Sequence, residues 1–107
     1  MRLSRGGRGL LEVYHNGAWG TLSAYKHYAI YDFDDRAATV VCRMLGFEKG
    51  TALRFAAFGR GIGPIWMDDV HCNGDELSIF DCPSDRFSYH GSHSYDVGVS
   101  CEGQIVN

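Results

Sequence analysis

Four cysteines in 107 residues set the first limit on what this chain can become. Cys42, Cys72, Cys82 and Cys101 form an even set in a short sequence, which favours two disulfide bonds over free thiols. The rival arrangement is a zinc site, but no two of these cysteines stand in a C-x-x-C or similar chelating pair, which compact tetrahedral sites usually use. Three pairings are open at this point. Oxidised cysteines belong to an oxidising compartment, so the expected setting is extracellular, in a secreted protein or the ectodomain of a surface protein. With 45% apolar residues, a chain of this length builds one compact core and has no room for a second.

Hydrophobic periodicity places the elements. Leu10 to Leu22 alternates around Leu11 and Val13 and is interrupted by Asn16-Gly17, the dipeptide that supplies the positive backbone angles of a tight hairpin turn. From Asp34 to Gly46, Ala38, Val41, Cys42 and Leu45 recur at i, i+3, i+4 and i+7 and make one apolar helical stripe. Asp34 or Asp35 caps its start and Gly46 ends it. Pro64 to Met67 and Val97 to Cys101 read as short strands, and Asp75 to Asp81 as one or two helical turns with Leu77 and Phe80 facing inward. Together these elements predict an α+β domain with one main helix packed on an antiparallel sheet.

Several functions are argued against by what the residues lack. A formal net charge of −3 does not single out nucleic acid, which demands a strongly basic face. No apolar run approaches the roughly 20 residues that span a bilayer, and Met1 to Gly9 is polar and basic, so direct membrane insertion is not expected. A secreted parent would carry its leader upstream, with Met1 then an expression start. No serine or cysteine sits in a nucleophile motif, and the reading is of a binding domain and not an enzyme. The run Gly59-Arg60-Gly61-Ile62-Gly63 lacks the lysine of a phosphate loop. Asp32, Asp34 and Asp35 open like a calcium loop, but Ala37 and Arg43 stand where such a loop needs Gly and Glu. His90 and His93 near Asp96 suggest a metal or acid–base cluster that nothing else supports. No motif requires a cofactor.

The segments VYHNGAWGT, ATVVCRMLGF, GPIWMDDVHCNGDE and DVGVSC follow one another in the order and approximate spacing of the scavenger receptor cysteine-rich domain, and the chain resembles that family over essentially its whole length. The resemblance implies a curved antiparallel sheet cradling the helix, and residues 1–107 as a single such domain excised from a larger secreted or surface protein. It implies the pairs Cys42 with Cys101 and Cys72 with Cys82. A further bridge of many members is missing at both ends, with Ser23 at one position and Gly91 or Ser92 at the other. The first cation site of the family is expected to be absent, because Ala24 and Tyr25 replace its Asp pair and Tyr95 its Glu. Asp68-Asp69 match the acidic pair of a second site and Asp96 a neighbouring acid, so the calcium expected here is weak, held at Asp68 and Asp69 with help from Asp96; solvated carboxylates are the alternative.

The function this implies is ligand recognition or adhesion, with a protein or polyanionic partner; the alternative is a structural spacer with no ligand of its own. Arg2, Arg5, Arg8, Arg54 and Arg60 make a patch for sulfated or carboxylated polyanions if folding gathers some of them; the alternative is separate solvated arginines, since surface charges are common and the net charge is negative. Tyr25 and Tyr28, in a segment longer than the family's, are assigned to a protein partner, because tyrosine combines apolar faces with a polar tip; the alternative is that the segment's aromatics turn inward and fill the space left by the missing bridge. Phe33 aligns with a family tryptophan before the helix and is assigned to the core. Neither the ligand nor the oligomeric state is legible in these residues.

Overall fold

A computed structural model describes residues 1–24, 32–86 and 92–104. In chain order the elements are β1 (Arg2–Leu3), β2 (Arg8–His15), β3 (Ala18–Ser23), α1 (Asp35–Met44), β4 (Phe47–Leu53), β5 (Ile65–Asp68), a 3-10 turn (Ile79–Asp81), β6 (Asp85–Arg86), a second 3-10 turn (His93–Tyr95) and β7 (Gly98–Gln104). The strands form one sheet in the order β4-β7-β2-β3-β5-β6, with β1 added beside β2. Every pairing is antiparallel except β3 with β5, which run parallel. That pair departs from the wholly antiparallel expectation, and it is allowed because α1 and β4 supply the long crossover a parallel pair needs.

The hairpin β2-β3 turns at Asn16 (φ 48°) and Gly17 (φ 81°), the left-handed pair that suits a two-residue hairpin turn. Along β2, Leu11 and Val13 are buried while Tyr14 is exposed, so the alternation read from the sequence sets which face meets the core. The Asp34 carboxylate accepts a hydrogen bond from the Arg36 amide and caps α1, and Gly46 (φ 92°) follows its last turn. Its stripe of Ala37, Ala38, Val41 and Cys42 packs against β4 and β7. The Cys42–Cys101 bond ties α1 to β7, and Cys72–Cys82 closes a short loop after β5; both are the pairs the resemblance implies. Phe33 is wholly buried, as assigned, with its amide donating to the Val70 carbonyl at 2.8 Å.

One expectation does not hold. Leu77 is 90% exposed, and Ile79 fills the core instead. Glu76 turns back to accept hydrogen bonds from the Asn73 and Gly74 amides, and Ser78 caps a turn that begins only at Ile79, so the α-helical spacing behind the Leu77 assignment never forms. Strand β4 was not read from the sequence at all: Glu48, Lys49, Gly50 and Thr51 hide its pattern, and its partner β7 lies far along the chain.

Candidate functional site

The helix covers one face of the sheet and leaves the other to the connection between β4 and β5. Cys101 is bonded to Cys42 of α1, and Gly50 pairs with Cys101, so both face the helix. Their neighbours Ser100 and Thr51 therefore point the opposite way, and Arg8, which pairs with Ser100, joins them. Arg8, Ser100 and Thr51 thus line up across three strands on the outer face.

One row further on, Gly98 has no side chain, and the Phe58 ring takes that space: a Cβ on Gly98 would stand 2.3 Å from Phe58 Cδ2. Over this ring sit the guanidinium carbons of Arg5, 5.9 Å from its centroid, and Arg8, 5.8 Å from it. Both distances fall in the range where a cation is attracted to an aromatic face. Two fixed-charge forks on one ring, beside the hydroxyls of Ser100 and Thr51, form a shelf suited to oxyanions such as sulfate or carboxylate, which accept paired N–H donors. Arg60 is exposed two residues beyond Phe58. Lys49 and Glu102 pair at 3.7 Å on the same face.

The structure divides the five candidate arginines. Arg2 lies 3.9 Å over the Trp19 ring and bonds Glu12 at 3.1 Å, beyond the loop that covers the middle of the face. Arg54 donates to the Phe33 carbonyl beside an open hollow of about 560 Å³ lined by Asp34, Asp35, Arg36, Ala52 and Arg54, where acids and bases balance. Arg5 and Arg8 come together. Tyr25 and Tyr28 lie outside the described residues. Phe58, Thr51 and Ser100 escaped the sequence reading; the only local signal was Gly98 in an otherwise branched strand.

The three candidate carboxylates do not converge. Asp68 is buried and accepts from the Asp69 amide. Asp69 has left-handed backbone (φ 53°), which supplies the bend needed to bring neighbouring acids to one side, and its Oδ1 lies 2.8 Å from His71 Nε2. Asp96 is fully buried and turned elsewhere: Oδ1 accepts from the Thr21 hydroxyl (2.9 Å), and Oδ2 accepts from the Gly61 amide (2.6 Å) and meets His93 Nδ1 (2.8 Å). Among the described residues, three metal-capable atoms lie within 4.8 Å of one another only at Cys72, Glu76 and Cys82, and those sulfurs are bonded together. Glu76 itself is held below the usual carboxylate range, first by its hydrogen bond from the Asn73 amide and also by that from Gly74.

Fold and surface define a disulfide-stapled α+β module with a cationic, aromatic shelf on the face away from its helix. The model of the scavenger receptor cysteine-rich domain matches residues 3–102, and the chain belongs to that family. It is 43% identical over 95 residues to the macrophage receptor MARCO of Mus musculus, covering 88% of this chain and 17% of the receptor. It is 46% identical over 98 residues to lysyl oxidase homolog 4 of Bos taurus, covering 90% of this chain and 12% of that protein. The crystal structure of the third such domain of murine neurotrypsin superposes with a TM-score of 0.80 at 38% identity, covering 97% of this chain and 96% of that one. The chain thus spans under a fifth of the length of these two relatives.

Proposed function

We propose that this domain is an extracellular ligand-recognition module that binds sulfated or carboxylated polyanions on the shelf formed by Arg5, Arg8 and Phe58, with Arg60 as a further contact. The single observation that carries the reading is the placement of two guanidinium groups over one ring, Arg5 from the β1–β2 turn and Arg8 from the start of β2, which pairs with β7. Separate solvated arginines would have no reason to share an aromatic face. Membership in a family that includes a macrophage receptor supports recognition over catalysis, and two disulfides support an extracellular setting. The match to a lysyl oxidase homolog covers too little of that protein to bring its chemistry here. No cofactor is needed for an arginine shelf to hold an anion, and any calcium at Asp68 and Asp69 is weak.

Calorimetric titration with a heparin octasaccharide tests the reading. The wild-type domain binds with an affinity that falls as salt rises, and Arg5→Ala/Arg8→Ala loses roughly tenfold or more. A domain that acts only as a spacer shows no binding, and a double variant that binds like wild type removes the site from this shelf.

A further inference from the structure

The connection from β4 to β5, residues 54–64, carries Phe58 and Arg60 yet contains no regular structure of its own. It also contains two consecutive non-glycine residues in left-handed backbone, Phe55 (φ 59°) and Ala56 (φ 51°). Each such residue costs on the order of 1 kcal/mol or more and persists only where its surroundings over-determine it. Those surroundings converge on one buried residue. The Ala56 amide donates to the Asp96 carbonyl (3.0 Å), and the Gly61 amide donates to Asp96 Oδ2 (2.6 Å). The two ties bracket Phe58.

Asp96 is itself held from the opposite side. Thr21 in β3 donates its hydroxyl to Oδ1, and His93 bridges Oδ2 to the Gly63 carbonyl, with Nδ1 2.8 Å from the carboxylate and Nε2 3.0 Å from the carbonyl oxygen. Gly61 fits against this group because it has no side chain: a Cβ there would stand 2.4 Å from Thr21 Cγ2 and 3.2 Å from Asp96 Oδ2. A wholly buried carboxylate is stable only when hydrogen-bonded, so the cluster acts as a unit, and the loop backbone supplies part of its bonding.

We propose that Asp96, Thr21 and His93 are positioning residues for the anion shelf: they fix the 56–63 backbone and thereby hold the Phe58 ring beneath Arg5 and Arg8. This rests on the polyanion reading above. Asp96, matched by resemblance to an acid near a cation site, here serves as an internal anchor that uses hydrogen-bond donors of this chain in place of an ion. Preorganised guanidinium groups lose less freedom when the ligand arrives, so the anchor acts on affinity through a ring it does not touch.

The test uses the same heparin octasaccharide with the whole 107-residue chain. Thr21→Val keeps the shape of the side chain and deletes its donor, Thr21→Ser restores the donor, and Gly61→Ala pushes the loop off Asp96. Thr21→Val and Gly61→Ala are expected to weaken binding about fivefold, the equivalent of one net hydrogen bond. The slope of log affinity against log salt should fall by roughly one as the two arginines cease to act together. The ring-current displacement of the Arg5 and Arg8 side-chain Nε–H signals in NMR spectra should shrink, and Thr21→Ser should recover all three readouts. A purely structural role would lower the melting temperature and leave the folded fraction binding with wild-type affinity, slope and spectra; that result overturns the proposal while Arg5→Ala/Arg8→Ala still loses binding. Unchanged binding by the arginine double variant removes the polyanion site from this shelf and overturns this proposal with it. Should Gly61→Ala fail to fold, the isosteric Thr21→Val decides alone.

Discussion

Gly50 of β4 lies directly against Cys42 of α1: a Cβ at this position would approach Sγ to 2.3 Å and the Ala38 carbonyl oxygen to 2.9 Å. The strand can therefore lie on the helix, and Cys101 beside it can reach Cys42, only because residue 50 has no side chain. Gly50→Ala is expected to destabilise the domain by about 2 kcal/mol or more, since neither a disulfide sulfur nor helix backbone yields easily to overpacking. Urea unfolding of the oxidised protein measures this, and a change below about 0.5 kcal/mol would mean that α1 and β4 move apart freely.

The two disulfides should differ in weight. Cys42–Cys101 spans 59 residues of sequence, and its removal as Cys42→Ala/Cys101→Ala is expected to cost about 4 kcal/mol in the chain-entropy model. Cys72–Cys82 spans 10, and the corresponding double variant should cost about 2 to 3 kcal/mol. Denaturant midpoints of the two double variants give the order directly.

Within the short disulfide loop, Ile79→Ala is expected to lose about 2 to 4 kcal/mol, because its side chain is fully buried. Leu77→Ser, at a side chain that faces solvent, should change stability by less than about 0.5 kcal/mol. Thermal melts of both variants separate the observed packing from a helical turn that buries Leu77.

The Glu76 carboxyl is held below its ordinary pKa in the folded state, first by the Asn73 amide. A depressed folded pKa means stability that is present above the unfolded pKa and is lost as pH falls through the folded one. Stability should therefore fall on acidification across and below the usual carboxylate range, and Glu76→Gln should remove that part of the pH dependence. Solvent screening around this half-exposed group limits the effect to less than about 1 kcal/mol. Unfolding curves of the two proteins between pH 2 and pH 6, about the span of carboxylate titration, measure the difference.

Calcium is expected to bind on the order of millimolar or weaker, because Asp96 does not join Asp68 and Asp69. Asp68→Asn/Asp69→Asn should abolish what heat signal calcium gives in calorimetry. Micromolar binding that survives this double variant would place the ion elsewhere.

The local elements were legible in the residues themselves because their causes are local. Asn16-Gly17 makes its turn from backbone angles that few other pairs tolerate, and the stripe from Ala38 to Leu45 is helical by spacing, with Asp34 capping it by the short-range bond the sequence predicts. The cysteine pairing came through resemblance, since four cysteines alone leave three choices. What the tertiary structure decided was which distant residues meet. Arg5 and Arg8 share a ring because β2, β7 and the 54–64 loop converge at Gly98, and Arg2, three residues from Arg5, goes instead to Trp19. Asp96, matched to an acid of the family's cation-binding segment, became a loop anchor because folding brought Thr21 and Gly61 to it from 75 and 35 residues away. A side chain's type limits the bonds it can make, but its partners are set by backbone packing between segments that carry no mark of one another in the sequence.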